Sequence, residues 1–391
     1  MAALRRAGLA LIALLALLAQ PAIAQGFQTL APQAILVDYD SGAVLFEKGA
    51  DDLVAPASLA KIMTAELVFH EIKQGRLSLD TEFTISENAW RRGGSASGGS
   101  AMFAQLNSRV KLSDLLLGII VQSGNDASIA VAEGMAGSEE TFARMMTERA
   151  RALGLTRSTF RNSTGYGHPE QKVTAREMAL LAAHVIRTYP EFYPMFGQRE
   201  FTWNKIKQQN RNPLLTMDIG ADGLKTGNIE ESGFGLVASA VQNNQRLILV
   251  VSGLKTARDR AAEARKVLEW GFRAFEARTL FEANQPVGDA QVYGGASGAV
   301  PLVARRAVRL LVPRGSSDRV AARIVYTGPV RAPVVAGTEI GRLRVTRGEV
   351  QALDLPLYAA QDVGVGSLRQ RATDALLEVT SGLVRRAFQR G

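Results

Sequence analysis

The chain has no cysteine. That excludes a thiol nucleophile, a disulfide framework and thiolate metal sites. A large exported domain does not need disulfides, so export stays open. Histidine is scarce too: His70, His168 and His184 are the only ones. They show no metal-ligand spacing, so no metal is expected, and all three read as core or surface residues. No cofactor is expected either. Past the first residues, no stretch is long and apolar enough to span a bilayer. There is no evident repeat and no long low-complexity tract. What remains is a globular composition over 391 residues, 47% hydrophobic and 21% charged, with room for two or three domains.

The first 24 residues read as a secretory signal peptide. Arg5 and Arg6 make a basic start, Ala7 to Ala19 an apolar run, and Ala22-Ile23-Ala24 a small-x-small cleavage site. The formal charge is +9. A basic chain invites a nucleic-acid reading. An exported protein meets little nucleic acid, so none is expected as partner; anionic membrane or cell-wall polymer fits better.

Chemistry starts at Pro56-Ala57-Ser58-Leu59-Ala60-Lys61. Ser58 to Ile72 holds no Gly or Pro, and its apolar residues fall nearly all round, as in a buried central helix. Proline suits the first turn of a helix. Residues i and i+3 share a helical face, so Ser58 and Lys61 can approach each other. A hydroxyl needs a neighbour to take its proton before it attacks. A lysine buried in an apolar helix loses hydration, which favours the neutral form able to do so.

Ahead of this helix, Ala34 to Tyr39 and Ala43 to Glu47 read as a hairpin turning at Asp40-Ser41-Gly42. Arg91 to Ser100 is a Gly- and Ser-rich loop. Leu112 to Ile120 is helical, and Ala127 to Glu133 is a second helix. Ser123-Gly124-Asn125 connects them, with Gly124 expected to supply an unusual backbone shape that turns Ser123 and Asn125 into a cleft. Ser138 to Leu153 is amphipathic, and Arg161 to Val173 is a Gly-containing loop. Thr174 with Glu177 has capping-box spacing. Asp222 to Gly227, Gly233 to Val241 and Arg246 to Gly253 are strand-like, the last two joined by a tight turn at Asn243-Asn244. Lys225-Thr226-Gly227 thus lies on or beside the first strand of an antiparallel set. Its edge could hydrogen-bond an extended peptide, and Gly227 leaves room for a second backbone. Arg258 to Glu276 is a closing helix. From about Thr279 short strands alternate with Gly and Pro, which reads as a small all-β domain.

Ser58-x-x-Lys61, Ser123-x-Asn125 and Lys225-Thr226-Gly227 occur in the order known from penicillin-binding proteins and class A β-lactamases. With Trp270-Gly271-Phe272-Arg273 and Gly328-Pro329-Val330-Arg331-Ala332-Pro333, the chain resembles the low-molecular-mass penicillin-binding proteins, serine D-alanyl-D-alanine carboxypeptidases that trim peptidoglycan. The resemblance implies an α/β (α+β) penicillin-binding/β-lactamase-like transpeptidase domain over residues 25–278, with an antiparallel sheet and a helical subdomain. It further implies a small all-β domain over 279–366 and an amphipathic C-terminal helix over 367–391.

By the same resemblance Ser58 is the nucleophile, Lys61 its base, and Ser123 relays a proton to the leaving amine. Asn125 holds the substrate amide, Lys225, Thr226 and Gly227 form the substrate strand, and Arg260 binds the terminal carboxylate. Arg211 is a weaker candidate for the carboxylate. The implied oxyanion donors are the Ser58 N–H and an N–H of the strand after Gly227. The substrate is a peptidoglycan peptide ending in D-Ala-D-Ala, with β-lactams as inhibitors. Where the family often has histidine after Lys-Thr-Gly, this chain has Asn228.

Two alternatives stand beside this reading. A β-lactamase of the class A type needs a deacylating glutamate, for which Glu170 and Glu177 lie in the broad region. A catalytically silent cell-wall-binding protein is the other. In the tail, Leu368, Ala372, Leu376, Val379, Leu383 and Ala387 make one apolar stripe flanked by Arg369, Arg371, Arg385, Arg386 and Arg390. Such a helix can lie in a membrane interface. The family's anchor occupies this position, so the expected location is the periplasmic face of the inner membrane.

Overall fold

The computed structural model describes residues 27–316, 319–348 and 350–373. The leader read over 1–24 and the tail helix beyond residue 373 lie outside the described residues.

Strands β1 (Gln33–Asp38) and β2 (Val44–Lys48) form the expected hairpin. They join β7 (Ala221–Ile229), β8 (Gly233–Gln242) and β9 (Gln245–Leu254) in an antiparallel sheet of order β2-β1-β9-β8-β7. The β8–β9 turn has Asn243 at φ 49° and Asn244 at φ 59°. Two left-handed residues match the twist of the flanking strands, and asparagine tolerates that conformation. Strand β7 is an edge, with one row of backbone groups left over for another chain.

Side chains alternate across β1 and β9 and so supply two cores. Ile35, Ile248 and Val250 join the large core with helix α1 (Lys61–Lys73) and helix α5 (Ala175–Thr188). Leu36 and Leu247 face the other way, onto α6 (Ala257–Ala274). There Gly271 lets the helix close on the sheet, since a Cβ would sit 2.6 Å from Leu36 Cδ2 and 2.8 Å from Leu247 Cδ1. Helix α6 ends at Ala274, and Phe275 already opens the next strand.

Helix α1 is the hub. It touches β7, α5, α2 (Leu112–Ile120) and α4 (Glu139–Ala152). Ile62, Met63, Ala65, Val68 and Phe69 are fully buried. So is Glu66, whose carboxylate takes Arg149 at 2.8 Å, Tyr189 OH at 2.9 Å and His184 Nε2 at 3.0 Å. Burial works against this charge, but the hydrogen bonds from His184 and Arg149 outweigh it and hold the pKa below the usual range. Helix α3 (Asn125–Ala136) completes the helical lobe. Two short ribbons flank it: β3 (Glu82–Thr84) with β4 (Arg109–Lys111), and β5 (Glu200–Trp203) with β6 (Ile206–Gln209).

Thr174 caps α5 by accepting from Glu177 N at 3.1 Å. The reciprocal half of the capping box does not form. The Glu177 carboxylate instead accepts from Arg157 N at 2.8 Å and Ser158 Oγ at 2.5 Å.

The rest is all β. Strand β10 (Phe275–Phe281) pairs with β13 (Val308–Pro313). Strands β11 (Pro286–Tyr293), β12 (Ala299–Val303), β14 (Val320–Tyr326), β15 (Val330–Arg331), β16 (Glu339–Arg347) and β17 (Val350–Ala359) form a sheet of order β14-β16-β17-β12-β11-β15. Its core includes Val292, Val300, Leu302, Leu343 and Leu357. Residues 368–373 are helical, opened by a capping box in which Gln370 Oε1 accepts from Ser367 N at 2.8 Å. No helix among the described residues is long and apolar enough to cross a membrane.

Candidate active site

Ser58 does not sit on the long helix. Ala57–Ala60 is a 3₁₀ turn, and the α-helix begins only at Lys61. In a 3₁₀ turn residues i and i+3 eclipse, so Ser58 and Lys61 are stacked more directly than in the α-helix expected from the sequence. Ala57 holds φ 48°. A left-handed alanine is strained, and such strain persists only where neighbours enforce it. Gly165 supplies that enforcement: at φ 87° it lies so close that a Cβ would come within 1.8 Å of Ala57 O.

Lys61 is 1% exposed. Its Nζ lies 3.2 Å from Ser58 Oγ, donates to Asn125 Oδ1 at 2.7 Å, and donates to the backbone carbonyl of Thr164. Burial pulls its pKa down to about 7. Arg211 contributes to that lowering, and Asp126 and Glu139 act in the opposite direction.

The connection at 123–125 differs from the reading in one respect. The left-handed residue is Ser123, at φ 65°, whereas Gly124 has φ −56°. Gly124 sits in close quarters: a Cβ would meet Asp126 Oδ1 at 3.0 Å, Met102 N at 3.1 Å and Gly118 O at 3.2 Å. Asp126, fully buried, accepts N–H groups from Met102 and Ala127 at 2.9 Å and from Ala104 at 3.2 Å. Burial raises its pKa against these bonds. Sequence reasoning missed Asp126, which follows directly on Asn125 and ties the 102–104 segment to the start of α3.

Ser123 Oγ is buried without a hydrogen-bond partner. It lines a cleft of about 540 Å³ together with Ser58, Gly99, Arg211, Thr226 and Arg260. Asn125 lies just beneath, its Nδ2 donating to Tyr166 OH at 3.0 Å. Tyr166 was also missed; the only signal was its place on a Gly-containing loop.

Gly227 does leave room for a second backbone, and that backbone is the segment that carries Ser58. A Cβ there would lie 3.1 Å from Leu59 N and from Pro56 O. Thr226, Gly227 and Asn228 border the cleft along the β7 edge. Lys225 is 2% exposed and donates to Thr226 O at 3.0 Å. Burial, with Lys61, Arg211 and Arg260 nearby, drives its pKa well down. Arg260 stacks over Phe234, 5.7 Å from the ring centroid, and its buried Nε has no partner. Arg211, ranked below Arg260 from the sequence, stands on the same wall. None of the described residues lining the cleft is acidic. The site is therefore prepared for an anion.

Glu170 pairs with Arg161 at 2.8 Å on the surface, and neither Glu170 nor Glu177 lines the cleft. No group of three or more His, Cys, Asp or Glu among the described residues could hold a metal.

A buried lysine touching a serine hydroxyl, with an edge strand and an anion-attracting wall beside them, defines a serine acyl-transfer enzyme of the penicillin-recognising fold. The chain belongs to the D-alanyl-D-alanine carboxypeptidase family, which it matches over residues 19–256; residues 275–365 match the penicillin-binding protein 5 C-terminal domain. It is 38% identical over 359 residues to the D-alanyl-D-alanine carboxypeptidase DacA of Haemophilus influenzae, covering 91% of both chains. It is 40% identical over 346 residues to the carboxypeptidase DacC of Escherichia coli, covering 88% of this chain and 86% of that one. The solved penicillin binding protein 5 of H. influenzae superposes with a TM-score of 0.77 at 38% identity, over 87% of this chain and 99% of that one.

Proposed function

We propose that the protein is a serine-type D-Ala-D-Ala carboxypeptidase that removes the terminal D-alanine from peptidoglycan peptides through an acyl-enzyme on Ser58, and that penicillins acylate the same serine. One observation carries the reading: the surroundings of Lys61 Nζ. A neutral amine has two N–H bonds and one lone pair. Asn125 Oδ1 and the Thr164 carbonyl take the two N–H bonds. The third direction, the lone pair, is left for Ser58 Oγ at 3.2 Å. With a pKa of about 7 the neutral form is abundant at neutral pH. A positioned base of that kind contributes roughly 10²–10⁴-fold.

The remaining roles follow the chemistry. The substrate's terminal carboxylate meets Thr226, Lys225 and Arg260, with Arg211 adding positive potential. Burial drives the Lys225 pKa well down, and a carboxylate arriving beside it favours the charged ammonium form. The scissile carbonyl turns to the Ser58 N–H and to an N–H of β7 past Gly227, which stabilise the oxyanion. Ser58 Oγ bonds to the carbonyl carbon as its proton passes to Lys61. Ser123 Oγ, with no partner of its own, gives its proton to the departing amine and is reprotonated by the proton that Lys61 took from Ser58, so both groups return to their starting states. The C–N bond breaks, D-alanine leaves, and water then hydrolyses the ester. Asn125 Oδ1 has a second lone pair free for the substrate amide. Among the described residues lining the cleft there is no carboxylate to activate that water quickly, which favours a slow-releasing penicillin adduct over a β-lactamase.

The deciding assay is release of D-alanine. A peptide ending in D-Ala-D-Ala should lose one D-alanine, and the same peptide ending in L-alanine should be inert. Equal turnover of both, or of neither, would sink the reading. The leader and the amphipathic tail support a finer proposal: the exported protein sits on the periplasmic face of the inner membrane, held by residues 367–391.

A further inference from the structure

Tyr166 lies outside every motif, yet it ends the hydrogen-bond chain that starts at the nucleophile. Its hydroxyl donates to Arg92 O at 2.7 Å and accepts from Asn125 Nδ2 at 3.0 Å. A phenol has one proton to give. Arg92 takes it, so towards Asn125 the hydroxyl can only accept. An amide is a donor at one end and an acceptor at the other. Nδ2 is thereby held on Tyr166, and Oδ1 is turned to Lys61 Nζ at 2.7 Å. We infer that Tyr166 is a positioning residue for acyl transfer: it locks the Asn125 amide in one orientation, and through it the direction in which Lys61 presents its lone pair to Ser58.

The inference rests on Ser58 and Lys61 being the acylating pair. Without the lock the amide turns over, its NH₂ faces Nζ, and one N–H of the neutral amine is free to swing towards Ser58. Only the Thr164 carbonyl then still orients the amine. The charged groups around it are Asp126 on α3, Glu139 on α4, Arg211 ahead of β7 and Lys225 on β7; they act through space and set no direction. Tyr166 also pins the 91–100 segment onto α3. The fit there is close, since a Cβ on Gly93 would lie 2.3 Å from Asp126 N and one on Gly99 would lie 2.9 Å from Asn125 Nδ2.

The test is Tyr166→Phe in the full-length protein, which keeps the ring and removes the hydroxyl. The rate of Ser58 acylation by penicillin should fall roughly tenfold, the scale of one neutral hydrogen bond. The acid limb of the pH–rate profile should move to lower pH, because an acceptor that favoured the ammonium form is lost. With peptide substrate, kcat should fall more than KM rises. In an Asn125→Ala background the same substitution should add nothing. An unmoved acid limb in Tyr166→Phe overturns the proposal, as does a loss that multiplies independently of Asn125→Ala. Failure of the underlying reading looks different: penicillin labels a residue other than Ser58 in the unmutated protein.

Discussion

The backbone carbonyl of Thr164 accepts a hydrogen bond from Lys61 Nζ across 103 positions of the chain. No side-chain substitution removes that acceptor. Its direction is set by the loop around it, where Asn162 Oδ1 takes Thr164 Oγ1 at 3.1 Å and Gly165 N at 2.7 Å. The loop is in turn fastened to α4, since Glu139 Oε1 accepts from Ser163 Oγ at 2.9 Å. Lys61, the proposed base, is therefore oriented by this main-chain acceptor together with Asn125 Oδ1, and its proton affinity is lowered chiefly by burial.

This sets the pH dependence. As the proposed base, Lys61 must be neutral to accept the serine proton, and burial brings its pKa down to about 7. Acylation of Ser58 should rise with pH through an acid limb near 7 and then level off. Stability should follow the same group. The unfolded lysine holds its proton up to its ordinary value of 10.5, while the folded one has lost it above about 7. Between these values the unfolded state binds more protons, so Lys61 makes the fold more stable as pH rises. Penicillin-labelling rates across pH check the first statement. An acylation rate independent of pH between 5 and 9 would remove Lys61 as the base.

Gly165→Ala should damage folding and catalysis together. The added Cβ falls on Ala57 O, and φ 87° is itself unfavourable for alanine. Overpacking of this kind costs roughly 1–3 kcal/mol. The segment that yields is the one carrying Ser58. The expected result is a lower thermal midpoint and a penicillin-labelling rate that falls further than the midpoint accounts for. A folded Gly165→Ala protein acylating at the parent rate would show that this packing does not hold the nucleophile.

Deleting residues 367–391 should release the exported protein from membranes while leaving penicillin binding intact. The apolar stripe and its arginines are the part of the chain suited to an anionic interface. Partition of full-length and truncated protein between membrane and soluble fractions is the measurement. Equal partition of the two rules the anchor out.

The hairpin turn at Asn243-Asn244, the helices around Ser123 and the strand carrying Lys225 were legible because each rests on a local rule of period, turn chemistry or motif spacing. Local rules mislead where the tertiary environment dominates. The sequence points to Gly124 as the special backbone position, but the left-handed residue is Ser123, and Gly124 matters through its close approach to Met102, Gly118 and Asp126. The Thr174 box forms only half, because Glu177 finds stronger use on Arg157 and Ser158. The 3₁₀ turn under Ser58 was invisible because nothing in Ala57-Ser58-Leu59-Ala60 distinguishes it from the α-helix that follows.

From the sequence alone came the reaction class, since a serine, a lysine, a Ser-x-Asn and a Lys-Thr-Gly in that order are chemical identities that no folding detail changes. The tertiary structure alone decided what surrounds the pair. Burial of Lys61, the Thr164 carbonyl, the Tyr166 hydroxyl and the press of Gly165 on Ala57 all join residues far apart in the chain. Contacts of that kind are set by packing and main-chain hydrogen bonding, and neither leaves a period or a motif to be read.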